Sequence, residues 1–222
     1  MRLLYYLPLS PFCREVRLVL AEKRLEASLM GSEAWADGEA FLAVNPAGTV
    51  PVLIEDDGAA ISDRGAIVEY LEEVYPVPSL LPGGPRARAE VRRLVGWFDI
   101  KFAAEVSTPV LYEKIDKREL GLGPPEMLAV RQALERLDGH LHYIGRLAEA
   151  RRWLAGEEVS LADIAAAAHL SCLDYLGDVV WRNHPEAKEW YVRLKSRPSF
   201  RPLLSDIVPG LPPPRHYADL DF

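Results

Sequence analysis

The chain has few cysteines. Cys13 and Cys172 are the two in its 222 residues, which is too few for the disulfide framework of a small secreted protein. We therefore expect free thiols and a reducing, cytoplasmic environment. The five histidines show no metal-ligand spacing, and the sequence contains no phosphate-binding glycine loop. Neither a metal nor another cofactor is predicted from these residues.

An excess of positive charge and a long apolar run are also missing. The 26 lysines and arginines are outnumbered by 33 aspartates and glutamates, for a net charge of -7, which argues against nucleic acid as a partner. The apolar start of the chain meets Pro8 after seven residues and lacks a small-residue cleavage site. The sequence therefore predicts neither a signal peptide nor insertion into a membrane.

The spacing of apolar residues divides the chain into four parts. Residues 1–75 show the order β-α-β-α-β-β-α, which is that of a thioredoxin-like domain. Residues 76–85 form a linker rich in proline and glycine, and residues 86–207 show helical spacing throughout. Residues 208–222 form a proline-rich tail. The predicted fold class is an α/β thioredoxin-like N-terminal domain followed by an all-α helical domain.

A proline interrupts a short apolar strand in the segment Asn45–Leu53. Because proline donates no hydrogen bond to a sheet, the Val50-Pro51 step predicts a turn with a cis peptide bond. Such a turn leaves the backbone N–H and C=O of Val50 free to pair with an extended peptide ligand. Downstream, Asp63 and Arg64 precede a helical pattern, and the free N–H groups at a helix start can hold a carboxylate. The two motifs together predict a site for a peptide-like ligand.

These motifs resemble the N-P-x-G-x-V-P-x-L signature and the following Glu/Asp-Ser-x-Ala-Ile element of the glutathione transferase superfamily. The resemblance spans roughly residues 2–205 and implies the GST fold and a homodimer, in which the helical half packs against the partner's thioredoxin-like half. The positions that match the superfamily's glutathione pocket are Ser10, Val50, Pro51, Asp63 and Arg64. Arg64 stands where the superfamily has the serine that holds the γ-glutamyl carboxylate. This difference predicts that glutathione binding is impaired or lost.

The segment Ser10-Pro11-Phe12-Cys13 contains two candidate catalytic residues. Ser10 resembles the serine that activates the glutathione thiol in some transferases, because a hydroxyl at a helix N-terminus stabilises a thiolate. The alternative is a serine that only caps the helix. Cys13 resembles the second cysteine of a redox C-P-F-C motif whose first cysteine is lost. For Cys13 the alternative is a buried packing thiol.

Two segments carry residues typical of protein contacts. Trp35 lies in a loop-like stretch of small and acidic residues, where an exposed indole would anchor a partner or else pack under the sheet. The tail ends in alternating acidic and apolar side chains, and the candidate partner-binding residues there are Tyr217, Asp219, Leu220, Asp221 and Phe222. The tail either presents these residues to a partner's groove on a stiff proline-rich spacer or folds back onto its own domain.

The tail and the altered pocket resemble one branch of the superfamily, made of bacterial cell-division proteins that bind filaments of the tubulin homologue FtsZ. This resemblance implies a non-catalytic regulator of division and constriction that acts in the cytoplasm at the division site. The alternative is a glutathione S-transferase that uses Ser10 to activate glutathione. Whether the chain is an enzyme stays open at this point.

Overall fold

The computed structural model describes residues 1–31 and 38–220. The N-terminal domain contains a four-stranded mixed sheet of order β2-β1-β3-β4, in which β1 and β2 are parallel and the other pairs antiparallel. The strands are β1 (Arg2–Tyr5), β2 (Ala27–Met30), β3 (Val52–Ile54) and β4 (Ala60–Ser62). The helices of this domain are α1 (Pro11–Glu22), α2 (Glu39–Val44) and α3 (Arg64–Val74). The element order confirms the predicted thioredoxin-like domain.

Helix α1 is buried on almost every face, because the sheet and α3 cover one side and the C-terminal domain covers the other. Ser10 is its N-cap and Pro11 its first residue, as the sequence predicts. Val16 and Val19 are fully buried and pack with Leu4 and Leu53 of the sheet. A helix between two layers must also bury its charged residues, and α1 carries three of them in its middle.

The C-terminal domain begins with a long helical stretch, residues 85–119, named here the long helix. Pro109 is accommodated at the start of α5 without interrupting the helical path, whereas the sequence predicts a kink there. The backbone widens to π-type hydrogen bonding on both sides of this proline. The segments are α4 (Pro85–Gly96), a π-helical segment (Trp97–Ser107), α5 (Thr108–Leu111), a second π-helical segment (Tyr112–Asp116) and α6 (Lys117–Glu119).

Four further helices complete this domain, and α8 lies at its centre. The capping box predicted at Ser160 is present: Asp163 accepts hydrogen bonds from the backbone N–H and the hydroxyl of Ser160, both at 3.0 Å. The same buried carboxylate also accepts from Trp190 Nε1 at 2.9 Å, which joins α8 to α9. The helices are α7 (Met127–Ala150), α8 (Leu161–Tyr175), α9 (Pro185–Lys195) and α10 (Arg201–Leu204).

The tail folds back onto its own domain up to Tyr217. The backbone N–H of Val208 donates to the Tyr175 hydroxyl at 2.9 Å, and this hydroxyl donates to the carbonyl of Leu211 at 2.8 Å. Tyr217 is completely buried and its hydroxyl donates to the carbonyl of Leu203 at 3.0 Å. The docked tail therefore forms part of the core.

Among residues 1–31 and 38–220, no helix is long and apolar enough to cross a membrane. The same residues contain no group of three or more histidine, cysteine, aspartate or glutamate side chains placed to hold a metal ion.

Candidate functional site

The first candidate residue, Ser10, lies at the N-terminus of α1, where β1 hands the chain to the helix. Its Oγ accepts a hydrogen bond from the Cys13 backbone N–H at 3.3 Å, so it caps the helix. Accepting this bond uses a lone pair and leaves the hydroxyl proton able to donate to a ligand. Capping and activation of a bound thiol are therefore compatible in this geometry.

The two cysteine thiols are both buried and free. Burial raises the pKa of Cys13 to about 11, although hydrogen bonds with Ser10 and Leu7 and the charge of Arg17 oppose the shift. Burial likewise raises the pKa of Cys172 to about 11. Because the thiolate is the reactive form, neither sulfur has the character of a redox nucleophile.

The Val50–Pro51 peptide bond is cis, as the sequence predicts. The loop before it is fixed by Asn45, whose amide nitrogen donates to the Thr49 carbonyl at 2.7 Å and whose Oδ1 accepts from Ala47 N–H at 3.2 Å. Strand β3 starts at Val52. Within residues 1–31 and 38–220, the backbone N–H and C=O of Val50 form no hydrogen bond. This residue keeps the backbone groups that a peptide-like ligand would pair with.

Asp63 is the N-cap of α3 and adopts a φ of 77°, in the left-handed region. Its carboxylate accepts hydrogen bonds from the backbone N–H groups of Gly65 at 2.7 Å and Ala66 at 3.4 Å. The positive φ costs a residue with a side chain about 1–3 kcal/mol, and such strain is concentrated at functional sites. The carboxylate is thus engaged with its own helix and occupies donors that an incoming anion would need.

Arg64 directs its side chain into the interface between the two domains. It forms an ion pair with Asp99 of the long helix and a second one with Glu15 of α1, with Nε and Oε2 3.4 Å apart. The Glu15 side chain is completely buried and that of Asp99 is 3 % exposed. Burial raises the pKa of Glu15 well above its usual range, the neighbouring Asp99 raises it further, and Arg64 opposes both. The guanidinium is therefore committed to two acids of its own chain.

His169 of α8 extends this network into the C-terminal domain. Its Nε2 lies 3.2 Å from Asp99 Oδ1 and its Nδ1 lies 2.7 Å from Ser107 Oγ. The three side chains stand in the order of a serine hydrolase triad. Ser107 and His169, however, are each 1 % exposed, so no substrate reaches the hydroxyl. We interpret the group as a structural connection between the long helix and α8.

The aromatic residues of the long helix that could line a second ligand pocket have different environments. Phe98 and Phe102 are completely buried in the core. Trp97 is half-buried against Tyr143, and its indole N–H donates to His140 Nδ1 at 3.1 Å. Tyr112 is exposed. Core packing therefore explains the two phenylalanines without a ligand.

The candidate partner-binding residues fall into three groups. Trp35, Asp221 and Phe222 lie outside the described residues. Asp219 and Leu220 are exposed at the end of the described tail. Tyr217 differs from a side chain held out for a partner: its ring packs at 5.1 Å from that of Tyr175 and its hydroxyl accepts from Arg14 at 3.1 Å.

The sequence did not reveal the partners of Arg64 or of the tail. Arg14 and Arg17 of α1 both contact Asp206, with Arg17 Nη1 and the carboxylate 2.7 Å apart. Glu15 stands between these arginines. A signal for them existed: three charged residues lie in a helix whose flanking residues are all apolar, and a fully buried helix must pair such charges. The spacing alone does not say with which residues.

We predict that Glu15 makes stability depend on pH. Because its pKa is raised in the folded protein, its contribution is most favourable below about pH 4.3 and is lost as the pH rises toward the folded-state pKa. Glu15→Gln should therefore gain stability relative to the wild type as the pH rises from 5 to 8, by about 1.4 kcal/mol for each unit of the raised pKa that this range covers. Urea unfolding at several pH values measures this difference.

The matched control is Glu26→Gln, because Glu26 is exposed at the start of β2. This variant should follow the wild-type stability curve at every pH. Parallel curves for Glu15→Gln and the wild type would contradict the prediction and show that Glu15 titrates alike in the folded and unfolded chains.

Comparison with known proteins places these features in a family. Residues 4–86 match the N-terminal domain of glutathione S-transferases and residues 125–198 match their C-terminal domain. "FtsZ-localized protein A" of Caulobacter vibrioides is 50% identical over 224 residues, covering 100% of this chain and 98% of that protein.

Two solved structures resemble the whole chain. A glutathione S-transferase from Rhodospirillum rubrum F11 superposes with a TM-score of 0.97 at 56% identity, and 100% of each chain is covered. FzlA from C. crescentus superposes with a TM-score of 0.96 at 50% identity, covering 100% of this chain and 99% of the other. With both domains matched and the fold shared over its full length, the chain belongs to the glutathione S-transferase family.

Proposed function

We propose that this chain binds FtsZ filaments and regulates bacterial cell division at the division site without acting as an enzyme. The observation that carries the proposal is the 50% identity over the full length to a protein named for its localisation with FtsZ. The identity extends through the tail, which lies beyond the matched family domains and folds onto the core in this chain.

The geometry of the pocket supports a non-catalytic role. Arg64 is paired with Asp99 and Glu15, and Asp63 accepts the N–H groups at the start of its own helix. A ligand carboxylate would have to displace one of these interactions and would approach two buried acids. Because a fold hosts many functions, the family by itself does not require transferase activity.

A second candidate function is glutathione transfer with Ser10 as the thiol activator. Ser10 at the start of α1 and the unpaired backbone of Val50 favour it, since both match groups that hold glutathione in the superfamily. The pocket would then have to rearrange at Arg64. This candidate is separated from the first by whether glutathione binds at all.

The terminal residues after Tyr217 are the proposed contact with the filament. The buried Tyr217 fixes where the tail leaves the core, and the segment from 218 onward follows it with exposed Asp219 and Leu220. An apolar residue at an exposed chain end costs little alone and gains when a partner covers it. We assign Leu220 as the described apolar anchor and Asp219 as its acidic neighbour.

We predict that removal of residues 219–222 weakens co-sedimentation with GTP-assembled FtsZ by about tenfold or more, because the apolar anchor is lost. A chain that ends at Ala218 is a sharper test than one that ends at Pro209. The longer form keeps Tyr217 and the contacts of Arg14, so the folded domain stays intact. The amount of each form in the pellet, titrated against FtsZ, gives the affinity.

Leu220→Ala and Ile207→Ala form a matched pair, since both residues are exposed apolar side chains of the tail. Leu220→Ala should lower pelleting and Ile207→Ala should leave it unchanged. Equal pelleting of the full and shortened chains would move the contact onto the folded body. Absence of the full chain from the pellet would refute FtsZ as the partner.

We predict that the wild-type chain does not bind glutathione at concentrations up to about 10 mM, tenfold above the usual range of enzyme KM values. Arg64→Ser alone should also fail to bind, because it leaves Asp99 and Glu15 uncompensated beside the site. Adding Asp99→Asn removes one of the acids and should give the first measurable binding. Titration calorimetry measures each variant.

Arg64→Lys is the control that keeps a cation at this position, and it should behave as the wild type. Saturable heat from the wild type at submillimolar glutathione would overturn the closed-pocket interpretation. A loss of that heat in Ser10→Ala would then favour the transferase.

We also propose that the chain forms a homodimer through its two halves. Apolar side chains are exposed on both: Leu42 and Val74 in the first domain and Ile100, 73 % exposed, on the long helix. Ile100→Arg should convert the dimer to a monomer in size-exclusion chromatography with light scattering, whereas Leu122→Arg, in the loop after α6, should not. A monomeric wild type, or a dimer that resists Ile100→Arg, would refute this assignment.

A further inference from the structure

A cavity of about 220 Å³ lies where the first domain, the long helix and the tail meet. The segment between β1 and α1 forms one wall, the long helix from Thr108 forms the second, and Val208 of the tail forms the third. Its apolar lining residues are Leu7, Leu9, Phe12, Leu111, Ile115 and Val208. A cavity of this kind is suited to a small apolar molecule.

The tail wall of this cavity is held by a few hydrogen bonds. Residues 208–211 form a turn in which Leu211 N–H donates to the Val208 carbonyl at 3.0 Å, and Gly210 has a φ of 71°. The Tyr175 hydroxyl bonds to both ends of this turn, and Arg118 Nη1 donates to the Gly210 carbonyl at 3.1 Å. The turn therefore docks as a unit and brings Val208 to the cavity.

The charged residues of the cavity have one sign. Asp116 and Glu119 line it from neighbouring positions of the long helix, and no lysine or arginine does. In the described part of the chain, neither acid has an ion-pair partner. The nearby cations are engaged elsewhere: Lys114 with Asp178, Lys117 with Glu113, and Arg118 with the Gly210 carbonyl. The cavity thus combines an apolar wall with two uncompensated carboxylates.

We propose that this cavity binds a small apolar molecule carrying an ammonium group, and that its occupancy holds the tail in the docked position. The ligand's apolar part contacts Val208 and the ammonium pairs with Asp116 and Glu119. A ligand that touches Val208 gains this contact only while the turn is docked, so binding shifts the tail toward docking by linkage. On the proposed function this would regulate the filament contact of residues 219–222, since their position follows from that of the turn.

The test uses the full-length protein without FtsZ, so its outcome is independent of the proposed partner. The probes are phenethylammonium and the uncharged 2-phenylethanol, which share the same ring. Trypsin reports tail docking, because Arg215 precedes the buried Tyr217 and its peptide bond is cut when the tail leaves the core. Phenethylammonium should slow this cut about tenfold at a concentration ten times its Kd, and should bind more tightly than 2-phenylethanol.

Two sets of variants separate the cavity from other causes. Val208→Ala should abolish the protection, whereas Ile207→Ala, its exposed neighbour, should keep it. Asp116→Asn combined with Glu119→Gln should remove the preference for the ammonium over the alcohol. The proposal is overturned if the two probes bind equally to the wild type, or if bound phenethylammonium leaves the rate of cleavage after Arg215 unchanged.

Discussion

The burial of charged side chains in helix α1 is the constraint on which the arrangement of the two domains depends. Arg14, Glu15 and Arg17 lie in a helix covered on nearly every face, and a buried charge without a partner costs several kcal/mol. Each therefore needs a partner from another part of the chain. Glu15 finds Arg64, and the arginines find Asp206 of the segment that leads into the tail. Domain packing, pocket and tail are thus fixed by one helix.

Features that arise from neighbouring residues could be predicted from the sequence. The cap at Ser10, the cis bond at Pro51 and the capping box at Ser160 depend on residues within a few positions, and the structure contains all three. The partners of Arg64 could not be predicted, because Asp99 and His169 come from distant helices that only the packed fold brings together. The turn and hydrogen bonds that dock the tail have the same origin: the run of prolines explains its extended form but not its contacts with Tyr175.

A single residue shows how a family fold can keep a pocket's framework and lose its ligand. Asn45, the cis bond and the cap at Asp63 are all retained, and they still build the local backbone. Arg64 carries a cation that would attract a carboxylate in water, yet in this chain two acids reach it first. The charge of a side chain therefore predicts its ligand only after the internal partners are known.

The docked tail also limits how a partner can bind. Tyr217 is buried, so at most the five residues 218–222 extend beyond it, and a fully extended chain of that length reaches about 17 Å. A protein that contacts the terminal residues must therefore come close to the surface around Tyr217, which includes the end of α9 at Lys195, whose ammonium lies over the Tyr217 ring. The tail is too short to act as a long tether, and its contact with a partner has to be shared with the folded body.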